Sequence, residues 1–312
     1  MTGIMQMLIG GSKKAPDPPD GTRGLFAGGA FVNVIDFIEI PSLGNGSDFG
    51  DLPNLVYGLS GVGSSTRGVF IGGEQDDGGS TSFTNTMSYV TIASAGNASD
   101  FGDLTGNNLA FGAACGNATR GCFAGGYAPP FTLTNTIQYI TIASAGNSTD
   151  FGDLLSATGA IYAGSASTTR GLFAGGEITG NVYINVIQYI TIASTGNTTD
   201  FGDLIIGVQQ QDGSASNSTR ALFFGGWDGV APTINVISYV TIATTGNATD
   251  FGDLLDPSRL GTAVSNTTRA VVQVGSQLQY VTIATTGNSI YFGDLTVSKT
   301  SRGACSNAHG GI

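Results

Sequence analysis

The stretch TRGLFAGG (residues 169–176), followed by NVIQYITIAS (185–194) and TDFGDL (199–204), decides the fold, because close copies of it recur down the chain. The arginine that opens the unit stands at Arg23, Arg67, Arg120, Arg170, Arg220 and Arg269. The phenylalanine of the closing motif stands at Phe49, Phe101, Phe151, Phe201, Phe251 and Phe292. Six copies of about fifty residues are therefore present, a period typical of architectures whose units bury their apolar surface on one another. Turn residues divide each copy into four strands, which in the fourth copy are 160–167, 170–176, 185–194 and 199–205. The third of these sets Ile187, Tyr189 and Thr191 on one face and Gln188, Ile190 and Ile192 on the other, so both faces of the sheet need cover. Blades packed face to face about an axis supply it. The expected fold is all-β, a six-bladed β-propeller of four-stranded blades over residues 22–312, preceded by an extended arm at residues 1–21.

The ends of the repeat array say how such a ring closes. The first copy begins at its second strand, and RGACSNAHGGI (302–312) aligns with FGAACGNATRG (111–121), which precedes the second strand of the third copy. The last strand is thus expected to join the first blade and remove the open edge that would otherwise template aggregation.

Composition narrows the function. Fifty glycines in 312 residues argue for a turn-dense β protein. The formal charge of −11 comes largely from the repeated DFGDL, which supplies eleven of the 22 acidic residues. The eleven basic residues are mostly the single arginine of each copy, without the clustering that nucleic acid requires. Anionic lipid is disfavoured as a partner, and no apolar run approaches a membrane span. No basic n-region precedes the apolar residues at the start, so a signal peptide is not expected. Cys115, Cys122 and Cys305 lack metal-ligand spacing and read as buried free thiols, although Cys115 and Cys122 could face each other across a hairpin.

A strand ending in Gly-Gly (Gly28-Gly29, Gly175-Gly176) followed by a strand carrying an aromatic resembles the kelch repeat, over residues 22–312 and without that repeat's tryptophan. The fuller wording TRGLFAGG…NTIQYITIASAGNSTDFGDL resembles kelch-like repeats of marine tailed-phage virions. That resemblance implies a non-catalytic structural or appendage protein, located in the virion, assembled in the host cytoplasm and present in multiple copies of a symmetric particle.

Three groups of residues are candidates for a role. The arginines named above and Asp51, Asp103, Asp153, Asp203, Asp253 and Asp294 recur near one rim, about two strand spacings apart, and read as a structural ring of ion pairs. Calcium would need more oxygens than two Asp flanking Phe-Gly provide, so no metal and no cofactor are expected. The segments joining strands two and three vary between copies and share a face with the inter-blade connectors. Tyr127, Phe131, Tyr183 and Trp227 lie in them, where rigid aromatics suit contacts with a protein, host surface or glycan. The arm, with Ile4, Met7, Leu8 and Ile9 ahead of SKKAPDPPDG, reads as a docking segment for other virion proteins on a stiff Pro-rich spacer. His309 is the sole histidine and lies in the terminal tail, which leaves nucleophilic catalysis little to work with; a lectin-like propeller is the alternative to the virion component. Sequons such as Asn97-Ala98-Ser99 read as tight turns.

Overall fold

A computed structural model describes residues 22–308, apart from 77, 79, 106–108 and 231–232. The arm residues Ile4, Met7, Leu8 and Ile9, and His309, lie outside the described residues. The described chain is a six-bladed β-propeller of four-stranded antiparallel blades. The fourth blade runs outward from the axis as Ala163–Ala166, Arg170–Ala174, Val186–Thr191 and Thr199–Asp203. The first blade takes its innermost strand, Gly303–Ser306, from the end of the chain, paired antiparallel with Arg23–Ala27 in the register Leu25↔Cys305. The innermost strands touch in one cycle, from Gly303–Ser306 through Ser60–Gly63, Ala113–Gly116, Ala163–Ala166, Ser214–Ser216 and Ala263–Ser265 back to the start.

Six apolar clusters hold the blades, one at each joint. At the joint of blades three and four, Cys122, Ile137, Phe151 and Leu154 pack on Ile161, Phe173, Ile190 and Ile192. At the joint that closes the ring, Phe26, Ile38 and Ile40 pack on Val264, Val271, Leu278 and Phe292. The third strand of blade four serves two joints: Ile190 and Ile192 face blade three, and Ile187 and Tyr189 face blade five. Each such large side chain stabilises by roughly 1.5–3 kcal/mol, so most of the binding between blades resides here.

The outer rim carries a second repeated joint. In each copy the Gly-Asn turn between strands three and four lies on the fourth strand of the preceding blade. Gly196 N donates to Phe151 O (2.7 Å), Thr198 N to Asp153 O (2.8 Å), and the Asn197 side chain accepts from Asp153 N (3.0 Å). The same side-chain bond recurs at Asp51, Asp103, Asp203, Asp253 and Asp294, where Asn97, Asn147, Asn247, Asn288 and Asn45 accept. The approach is close enough that a Cβ on Gly152 would lie 2.5 Å from the Gly196 carbonyl carbon and oxygen, at φ +147°, which explains the glycine in DFGD. The Asn of this turn, Asn97 of the sequon Asn97-Ala98-Ser99 included, is thus a hook between blades.

Cys115 and Cys122 sit opposite each other in the register of neighbouring strands, and all three cysteines are buried free thiols. Burial pushes the Cys122 and Cys305 thiols up to about 12 and raises the Cys115 thiol well above its ordinary value, so they are poor nucleophiles.

Candidate functional site

The repeated arginines form a ring, but not of ion pairs with the repeated aspartates. Each guanidinium lies over the aromatic ring of its own third strand: Arg23 over Phe37, Arg67 over Tyr89, Arg120 over Tyr139, Arg170 over Tyr189, Arg220 over Tyr239 and Arg269 over Tyr280, at 4.2–4.7 Å. It then reaches across the joint and donates to a main-chain carbonyl of the next blade: Arg23 to Ile92, Arg67 to Ile142, Arg120 to Ile192, Arg170 to Ile242, Arg220 to Ile283 and Arg269 to Ile40. The cycle of six closes on itself.

Asp51, Asp103, Asp153, Asp203, Asp253 and Asp294 contribute main-chain groups to the rim joint instead. The reason lies in register. Arg170 pairs with Thr191 and Asp203 with Val186, which sets them five residues apart along the strand, roughly 17 Å, with the Tyr189 ring between. Among the described residues the ion pairs are Arg23–Glu39 and Arg302–Asp36.

The separation of Arg170 from Asp203 lowers the cost of removing one arginine. Arg170→Ala leaves Asp200 exposed and Asp203 half-buried in the solvent they already meet, and loses the cation–π contacts with Tyr189 (4.4 Å) and Phe201 (5.9 Å) and one charged hydrogen bond. The expected loss is about 1–2 kcal/mol, read as a shift of the urea midpoint at unchanged slope.

The two faces of the disc differ. On the loop face lie the strand-two-to-three segments and the inter-blade connectors, and there six residues from six successive connectors adopt left-handed backbone: Gly58, Phe111, Ala160, Gln210, Leu260 and Ser301, with φ between 47° and 70°. Five main-chain bonds string them into a belt around the axis. Gln210 N donates to Ala160 O, Leu260 N to Gln210 O, Ser301 N to Leu260 O, Gly58 N to Ser301 O and Phe111 N to Gly58 O. The Tyr162 hydroxyl lies 3.3 Å from Ser301 Oγ; blades four and one stand opposite each other in the ring, so this side chain bridges the mouth of the axial channel. Cavities of about 80 and 50 Å³ lie along the axis, the first lined by small residues of the inner strands and the second also by Leu59, Tyr162 and Arg302, which is room for water but well below a small-molecule site.

Around the belt, aromatic rings gather. Tyr57 contacts Phe31 (5.5 Å) and Phe111 (5.2 Å), and Phe111 contacts Phe83, Tyr127 and Tyr162. Phe131, 62% exposed, packs on Phe83 (4.8 Å) and Tyr127 (6.2 Å). Tyr183 and Trp227 form a second cluster at 5.4 Å, with the Arg259 guanidinium 5.0 Å over the indole. The four aromatics expected on this face therefore fall into two groups, Tyr127 with Phe131 and Tyr183 with Trp227. Glu177 lies between them, accepting from the Tyr127 hydroxyl (3.3 Å) and pairing in register with Tyr183. Burial, then this carboxylate, push the Tyr127 hydroxyl up to about 12. Sequence reading passed over Phe31, Tyr57, Phe83, Phe111, Tyr162 and Arg259. Their signal was their position outside the repeat, where an aromatic or a charge appears in one copy only.

No family model matches the chain, and no curated protein matches it. Among the described residues no three His, Cys, Asp or Glu side chains are grouped to hold a metal, and no helix is long and apolar enough to cross a membrane.

Proposed function

We propose that this protein is a non-enzymatic structural and binding component of a tailed-phage virion. It works in multiple copies, is anchored to other virion proteins through residues 1–21, and presents its loop face to a protein or host surface. One observation carries the reading: residues common to the copies are used up in joining blades, whereas the aromatic side chains that stand outside the repeat gather on one face. The six arginines, six asparagines and the glycines of DFGD all act at joints. Aromatics outside the repeat, free of that duty, form a surface on a rigid ring, which suits recognition by shape and apolar contact. The likeness of the repeat wording to phage virion proteins supplies the setting.

A full-length chain carrying Leu8→Asp and Ile9→Asp tests the anchoring. It is expected to unfold like the unaltered chain and to be missing from purified particles, measured by mass spectrometry of the virion. Incorporation at the normal level contradicts the role of the arm. The second reading, a free-standing glycan-binding propeller, is favoured by the Tyr183–Trp227–Arg259 cluster.

A further inference from the structure

Seven of the eight arginines in the sequence are accounted for by the fold: six close the ring and Arg302 is buried against Asp36. The eighth, Arg259, is exposed on the loop face. Among the described residues its side chain makes no hydrogen bond and no ion pair, and its one contact of note is with the indole of Trp227, the sole tryptophan of the chain. The neighbouring acid, Asp228, accepts from Val230 N within its own loop (3.0 Å).

Both partners are held from beneath. Trp227 exchanges two main-chain bonds with Gln209 of the preceding connector, at 2.9 and 3.1 Å. Arg259 stands between Ser258, whose hydroxyl donates to buried Asp212 (3.0 Å), and Leu260, which is a member of the axial belt. The guanidinium carbon stands 5.0 Å from the indole centroid and the side chain is exposed, so its N–H groups are open to a carboxylate, which a guanidinium grips bidentately. The half-exposed Tyr183 ring lies against Trp227, and the loops that carry these two rings also expose Val182 and Val230, apolar surface for the C–H face of a sugar.

We propose that Arg259, Trp227 and Tyr183 form a binding site for a carboxylated sugar unit of an acidic polysaccharide. The inference rests on the reading of the loop face as the contact surface and names its ligand class. The site is open and carries one cation on a chain of net charge −11, so a single contact is weak and its attraction falls with added salt. A polymer that repeats the same carboxylate compensates by offering many equivalent units to each copy of the site.

Because Trp227 is the sole tryptophan, its fluorescence reports on this site directly. Titration of the full chain with oligogalacturonate is expected to give a saturable change, absent with the fully methyl-esterified oligomer and weakened at least tenfold in Arg259→Gln. Arg259→Lys is expected to recover only part of the affinity, since the planar fork is lost. No saturable change at millimolar oligomer, or equal response to the ester, overturns the proposal, as does oligoglutamate binding as tightly as the sugar. Should the sugar fail while Phe131→Ser or Trp227→Ala still abolishes attachment of particles to their host, the loop face stands as the contact surface and only the ligand class falls.

Discussion

Replacing Arg302 with alanine is expected to destabilise the chain by about 3–5 kcal/mol, the usual result of leaving a buried charge without its partner. Arg302 and Asp36 are both 0% exposed and lie 2.9 Å apart, in the blade where the two ends of the chain meet. Thr296 Oγ1 also donates to Asp36, and Arg302 donates further to the carbonyls of Phe26 (3.4 Å) and Val297 (3.2 Å). The equivalents of Asp36 opposite the second strand are Ser88, Gln138, Gln188, Ser238 and Gln279, all uncharged. The pair is therefore an addition made only where the ring is closed by distant segments. A double variant, Asp36→Gln with Arg302→Leu, removes both charges and is expected to recover most of the loss in urea unfolding, a coupling that a merely space-filling Arg302 would not show.

The second large effect depends on pH. Asp212 is fully buried; its Oδ1 accepts from Ser258 Oγ (3.0 Å) and Gly261 N (2.7 Å), and its Oδ2 has no partner among the described residues. Burial raises its carboxyl from 3.8 to about 8, against the lowering effect of those two bonds. Between these values the folded chain keeps a proton that the unfolded chain has released, so the contribution of Asp212 to stability is full below about pH 4 and falls as pH rises toward 8, beyond which the loss is complete. Asp212→Asn keeps the accepting oxygen and carries no charge. It is expected to be more stable than the unaltered chain above pH 8, on the order of 3 kcal/mol, with the gap closing toward pH 4. Urea unfolding across that range measures it; parallel profiles for the two chains would show that Asp212 is ionised in the fold.

These two groups also mark what the sequence makes legible. The architecture was readable because it is written six times: the strands, their two apolar faces and the completion of the first blade by the last strand follow from repetition and pleat. The side on which the copies diverge followed from chain direction, and the structure places Tyr127, Phe131, Tyr183 and Trp227 there. Recurrence of Arg and Asp did not reveal their partners. Sequence shows that Arg170 and Asp203 repeat, but not that Tyr189 lies between them or that the guanidinium reaches a carbonyl of the next blade. The axial belt was invisible for a different reason. Its positions hold Gly, Phe, Ala, Gln, Leu and Ser, because their left-handed conformation is held by main-chain bonds and not by residue type. Asp36, Asp212 and Arg302 were detectable as charges that occur in one copy at positions the other copies keep neutral.

Closure of the ring by its last strand underlies every one of these arguments, and hydrogen exchange read by mass spectrometry tests it most directly. Peptides covering Gly303–Ser306 and Arg23–Ala27 are expected to exchange together, as slowly as Ala163–Ala166 and Arg170–Ala174 inside the fourth blade, because all four strands then open only with the whole ring. Exchange of 303–306 within seconds, while the fourth blade stays protected, would contradict the closed ring.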